Sequence, residues 1–245
     1  MKHNYSSEHA IAALETAALM AVLVPVVIAG LGLGALLHRH FTLQHMLEKH
    51  AYDEFVVPIE LTNTGSLRIV ELPSSLDPTL RSNPGYCSAS LSRYLECIAD
   101  HLEQELTTTD FYSRGTVSSQ RYQITAKYAV IGIDPQTGLA TGLLSFNNNV
   151  QTRGSLIAPL LMDADIAALA NSNQLPSSLA TPVARYDAAS GSDNRYLPFA
   201  VVAGLELAFQ AEGGLIDVFL SQFNSNSGLL HDFRIVSLRG EVSDD

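Results

Sequence analysis

The sequence predicts an α+β protein in which a long N-terminal transmembrane helix precedes an antiparallel-sheet domain with at least one packed amphipathic helix. Three observations carry that expectation. Residues 16–37 run for 22 positions without a charged side chain. Residues 90–106 repeat apolar side chains at helical spacing, and residues 122–146 alternate apolar with polar on either side of a glycine-containing turn.

The uncharged run, Thr16 to Leu37, spans roughly 33 Å as a helix, which matches the hydrocarbon thickness of a bilayer. A cleaved secretory signal has a shorter apolar region and a more basic start, so the segment reads as an anchor. Gly30 and Gly34, with Gly32 between them, form a small-xxx-small spacing that lets a second helix approach closely. The same glycines are also simply tolerated in a membrane helix. The helical pattern continues through Phe41, Leu43, Met46 and Leu47 to about Ala51. His38, His40, His45 and His50 cluster on this extension, but no two of them stand at the i, i+4 spacing that puts both imidazoles on one face. They read as solvated interfacial histidines, with no metal and no cofactor assigned.

Beyond the helix, residues 55–61 and 67–72 flank Thr62-Asn63-Thr64-Gly65-Ser66, a hairpin signal in which Pro58 marks the first strand as an edge. Leu91, Leu95, Ile98, Leu102 and Leu106 then form the apolar stripe of one amphipathic helix. Tyr122, Ile124, Ala126, Tyr128 and Val130 alternate with Gln123, Thr125 and Lys127, and Asp134-Pro135-Gln136-Thr137-Gly138 turns the chain into a second strand. Residues 158–196 are rich in Ala, Ser, Asn and Pro with one short helical run at 165–170, and read as a long loop. Apolar runs at 199–209, 215–223 and 233–238 suggest a closing meander. The expected organisation is a hydrophilic leader at 1–10, the helix with its extension at 11–51 and an exported domain at 52–245.

The 14 Lys and Arg against 25 Asp and Glu leave a net charge of −11. With no basic stretch longer than His38-Arg39-His40, nucleic acid is excluded as an expected partner. No GxSxG, HExxH, P-loop, GxGxxG after a strand, or CxxC is present, so the chain is read as a non-enzyme. Asp163 and Asp165 point apart on a helix and make a poor acid/base pair. Asp187, Ser190, Ser192, Asp193 and Asn194 offer oxygens without the spacing of a calcium loop, and read as a polar turn. Cys87 and Cys97 on one continuous helix would lie roughly 15 Å apart, beyond disulfide reach. A bond requires Cys87 to precede the helix, which a turn at Asn83-Pro84-Gly85 permits; a disulfide and two free thiols both stay open.

The N-terminus carries the functional signal. Residues 1–10 are hydrophilic, Ile11-Ala12-Ala13-Leu14-Glu15 follows, and Glu15 is an ionisable residue at the edge of an apolar stretch, where such groups usually have a named partner. This arrangement resembles a class III, prepilin-type signal, and most closely the minor pseudopilins of tight-adherence (Tad) pili, over roughly the first 50 residues. The resemblance implies processing between Ala10 and Ile11, and a filament core built from packed helices. It further implies that Glu15 neutralises the terminal amine of a neighbouring subunit, with Pro25 as the proline of the span. Ala10 stands where the family generally has glycine, and Pro25 lies further from the glutamate than in the family. The partners implied are other pilin or pseudopilin subunits, a prepilin peptidase and membrane lipid, at an inner membrane with the C-terminal domain periplasmic or extracellular. Charge bias alone favours the opposite topology, since Lys2 precedes the span while Arg39 and Lys49 follow it. The alternative is an unprocessed signal-anchored binding or scaffold protein.

Overall fold

The computed structural model of the chain describes residues 5–55, 58–61, 67–69, 76, 85–108, 117–145, 150–171, 196–211, 215–222 and 228–241. It divides into two compact units, residues 1–42 with 210–230, and residues 43–209 with 231–245.

Helix α1 runs from Tyr5 to Glu54, 50 residues, with Pro25 inside it. It therefore begins before the apolar run and ends three residues beyond the expected Ala51, just ahead of the β-branched pair Val56-Val57 and Pro58, which oppose further helix. Its last three turns belong to the larger unit. There Leu43, Met46, Leu47, His50, Ala51 and Glu54 are all buried, a set spaced three and four apart along one face. Helix α2, Leu91–Thr108, buries Leu91, Leu95, Ile98, Leu102 and Leu106, the stripe expected from the sequence. Ser90 caps it by accepting the Arg93 N–H at 3.3 Å. Cys87 lies in the turn ahead of this helix and is bonded to Cys97 within it.

The sheet has the strand order β2-β1-β7-β6-β3-β4, with β5 also on β3. Its strands are β1 (Pro58–Leu61), β2 (Leu67–Ile69), β3 (Tyr122–Ile133), β4 (Ala140–Ser145), β5 (Val150–Gly154), β6 (Phe199–Gln210) and β7 (Leu229–Glu241). Strands β3 and β6 form the spine, paired antiparallel from Tyr122 opposite Phe209 to Gly132 opposite Phe199. The other edge of β3 is shared: β5 takes residues 123–127 and β4 takes 130–133. The sheet is antiparallel as expected, with one parallel pair where β1 meets β7. One expectation is corrected: β1 is not an edge, since it pairs with both β2 and β7; Pro58 is accommodated as the first residue of the strand, a position where proline is tolerated.

The β3–β4 turn forms where expected, with Gly138 at φ 71, its N–H donating to the Asp134 carbonyl at 2.8 Å. The polar face of β3 is not solvated, however. Thr125 and Lys127 are each 1% exposed, and helix α3, Met162–Asn171, packs on the Ala129, Ile131 and Ile133 continuation of that face. Met162 and Ile166 lie over Gly204 of β6, where a side chain would collide with the Met162 sulfur. Asp163 forms an ion pair with Lys127, which neutralises the buried ammonium. Glu206 of β6 accepts the N–H groups of Leu161 and Met162 at 2.9 and 3.1 Å, satisfying backbone donors at the α3 N-terminus, and it also holds His231. The expected loop at 158–196 thus contains α3, and its residues 172–195 lie outside the described set.

The run at 215–223 is corrected from a meander strand to helix α4, Leu215–Gln222. A short apolar run does not distinguish strand from helix by period alone, and Asp217 in its first turn suits a helix N-terminus.

Leu102, fully buried in α2, is expected to cost about 2–5 kcal/mol on truncation to alanine. Replacing both cysteines by serine is expected to cost about 2–4 kcal/mol through the freed loop. Urea unfolding of the full chain checks both.

Candidate functional site

Two features of the described chain stand out chemically: the surface of α1 in the smaller unit and a polar cluster between α1 and α2 in the larger one.

On α1, Leu14 is 72% exposed and Val26 65%, and Leu19, Val22, Leu31 and Leu33 are also exposed. An 18-residue stretch of this helix has the length and apolar composition to cross a membrane. Glu15 is exposed on the same helix. Ala10 and Ile11 lie on α1 by their backbone. Among the described residues, Gly30 and Gly34 have no atom from outside their own stretch of helix within 4 Å of the place a Cβ would occupy, so this pair presents an open notch. Gly32 differs: a Cβ there would overlap the Phe219 side chain and approach the Leu215 carbonyl at 3.1 Å. The middle glycine is used inside the chain, to let α4 lie against α1, and the outer two remain available.

The polar cluster arises because the buried stripe of α1 carries His50 and Glu54 at positions that its neighbours fill with Leu, Met and Ala. Their i, i+4 spacing joins them, His50 Nδ1 to Glu54 Oε1 at 2.8 Å. Helix α2 supplies the matching pair four residues apart, His101 and Glu105. His101 Nδ1 meets Glu54 Oε1 at 2.6 Å, and His50 Nε2 meets Glu105 Oε2 at 2.9 Å. Lys49 Nζ donates to the same Glu105 oxygen at 2.9 Å. The two imidazoles stand edge to face with centroids 4.8 Å apart. The Tyr94 hydroxyl donates to the Glu54 carbonyl, so the end of α1 is held by backbone as well as side chains.

Electrostatically the cluster favours charge despite burial. Burial pushes the Glu54 carboxyl up, but hydrogen bonds from His101 and His50 outweigh it and hold the group below the usual carboxylate range. The bond to Glu54 raises His101, against the opposing effect of its own burial. Burial likewise pushes Glu105 up and is outweighed by Lys49 and His50, leaving it lowered. The Glu54 Oε2 atom is buried without a hydrogen-bond partner among the described residues.

Among the described residues singled out in the sequence, Cys87 is bonded to Cys97, and His50 meets partners outside its own histidine cluster. His38 and His45 are exposed on α1. Asp163 is engaged by Lys127 while Asp165 is exposed, so they form no paired site. The oxygen-rich segment 187–194 lies outside the described residues. Glu54, His101 and Glu105 do not show up in the spacing of the histidines on α1. A legible signal was nonetheless present, since an HxxxE pair occurs on each of two amphipathic helices and one pair falls on the apolar stripe.

No family model, curated protein or solved structure matches the chain.

Gly32→Val is expected to destabilise the packing of α4 on α1 by about 1–3 kcal/mol, whereas Gly30→Val leaves folding unchanged because its surroundings are open. Thermal melts of the full chain in detergent distinguish the two.

Proposed function

We infer that the chain is a membrane-anchored, pilin-like subunit that acts by assembly rather than catalysis: α1 inserts in the inner membrane, is processed between Ala10 and Ile11, and packs against the helices of other pilin or pseudopilin subunits. The observation that carries this reading is the uncovered apolar surface of α1. Residues from Leu14 to Leu37 expose large aliphatic side chains around the helix, an arrangement that water penalises and that lipid or neighbouring helices accommodate. The same helix continues into a folded domain, whose core receives its last three turns.

Assembly chemistry follows from two positions. A carboxylate at Glu15 in an apolar setting is costly unless a cation sits beside it, and a freshly cut amine of an adjacent copy is such a cation. The open notch at Gly30 and Gly34 lets a second helix come within backbone contact. The bond between Cys87 and Cys97 supports a domain on the oxidising side of the membrane, in the periplasm or beyond.

The second reading, a signal-anchored scaffold that is never cut, shares the uncovered helix and differs only at the N-terminus. Mass analysis of the protein from cells with an active prepilin peptidase decides between them. The pilin-like reading expects a chain beginning at Ile11, and a chain retaining Met1 or any other leader residue rejects it. Glu15→Gln is expected to leave membrane insertion intact and to abolish cross-linking between cysteines introduced at Gly30 of adjacent copies. Unchanged cross-linking removes the charge-pairing role.

A further inference from the structure

We propose that His50, Glu54 and His101 form a three-ligand site for a divalent transition-metal ion of the zinc class, which fastens the end of α1 to α2. The site stands apart from the apolar surface of α1 and does not depend on the anchoring reading.

Geometry comes first. Each residue offers one donor atom, and the three lie within 4.8 Å of one another. A tetrahedral zinc ion with bonds of about 2.0–2.2 Å sets its donors about 3.3 Å apart. The two observed separations from Glu54 Oε1, 2.8 Å to His50 and 2.6 Å to His101, need to open by about half an ångström or slightly more, and the two imidazole nitrogens, at most 4.8 Å apart, need to draw together by at most about 1.5 Å to reach that spacing. Two imidazoles and one carboxylate are a borderline-soft set that suits zinc over magnesium or calcium, which prefer all-oxygen shells.

Two further observations point to a ligand. The second carboxylate oxygen of Glu54 is buried and unpartnered among the described residues, on a side chain that is 2% exposed, so it is free to turn towards a cation held through Oε1 and make a second, longer contact with it. His50 is also arranged as metal-bound histidines are. Its Nδ1 faces Glu54 while its other nitrogen is held by Glu105 at 2.9 Å, and Lys49 fixes that carboxylate in turn. An outer carboxylate on the distal ring nitrogen orients the imidazole and raises its basicity as a ligand. The His101 side chain, 22% exposed, provides the path from solvent, and a fourth position remains for water or an external donor.

The purpose is mechanical. Three protein ligands drawn from two helices, one of them tied to its upstream turn by the Cys87–Cys97 bond, join the end of the long helix to the domain with directional bonds. The ion therefore stabilises the folded state by binding it and not the unfolded chain.

The untagged full-length chain, stripped with chelator in detergent, is titrated with Zn²⁺ and with Co²⁺. The expected results are one equivalent of Zn²⁺ bound and a raised melting temperature, with Mg²⁺ without effect. Co²⁺ should give the visible d–d bands of four-coordinate geometry. Glu105→Gln, a positioning change, is expected to weaken Zn²⁺ binding by about 10–100-fold, and His101→Gln by more, while a His38→Gln, His40→Gln, His45→Gln triple variant binds as the parent does. The absence of stoichiometric binding and of the Co²⁺ bands in the parent chain overturns the site, as does binding that survives His101→Gln but is lost in the triple variant. Because the Co²⁺ spectrum is read on the unaltered protein, a variant that fails to fold does not rescue the proposal.

Discussion

The folded domain is organised by the need to bury the last three turns of α1 together with the polar groups they carry. Leu43, Met46, Leu47 and Ala51 supply ordinary apolar burial, but His50 and Glu54 share their stripe, and neither can be left unpaired out of water. Helix α2 answers with His101 and Glu105, and Lys49 balances the second carboxylate. The two helices are thereby held in one register, since sliding either by a single residue would rotate these groups off the shared face and strand a charge. The disulfide ahead of α2 and its cap at Ser90 restrain the helix that must meet this demand.

The same logic of compensated burial repeats on the far side of the sheet. Lys127 and Glu206 lie beneath α3, and each is matched there: Lys127 by Asp163, Glu206 by His231 and the first N–H groups of the helix. Both faces of the β3–β6 spine are thus covered, with apolar side chains supplying most of the area and a few paired charges fixing where each helix lies. Such paired charges fix registry, because apolar contacts alone tolerate sliding. The smaller unit shows the opposite condition: α1 exposes aliphatic side chains with Gly30 and Gly34 open, and only Gly32 is taken by α4. Among the described residues, the aliphatic side chains of α1 from Leu14 to Leu37 form a long run that the folded chain leaves exposed.

The difference between what was legible and what was not follows the range of the interactions. Helix α2, the β3–β4 hairpin and the short β1–β2 pair were readable because their period and turn residues are local properties of the chain. The covered polar face of β3 was not, since alternation reports that one face is polar and not whether a helix with an acidic residue will later land on it. Helix α4 was misread because an eight-residue apolar run fits either period. The parallel pairing of β1 with β7 joins residues near opposite ends of the chain, and no local pattern encodes it. The spacing of the α1 histidines among themselves carries no trace of the partners of His50, which lie four residues ahead on α1 and on the separate helix α2.

By itself, the amino-acid sequence determined that a long apolar helix precedes an acidic α+β domain, because charge, hydropathy and period are properties of neighbouring residues. Tertiary structure alone decided which polar residues of different elements are buried together, and which glycines are used inside the chain. Those outcomes depend on distances between segments remote in sequence, and such distances exist only once the helices have packed on the sheet.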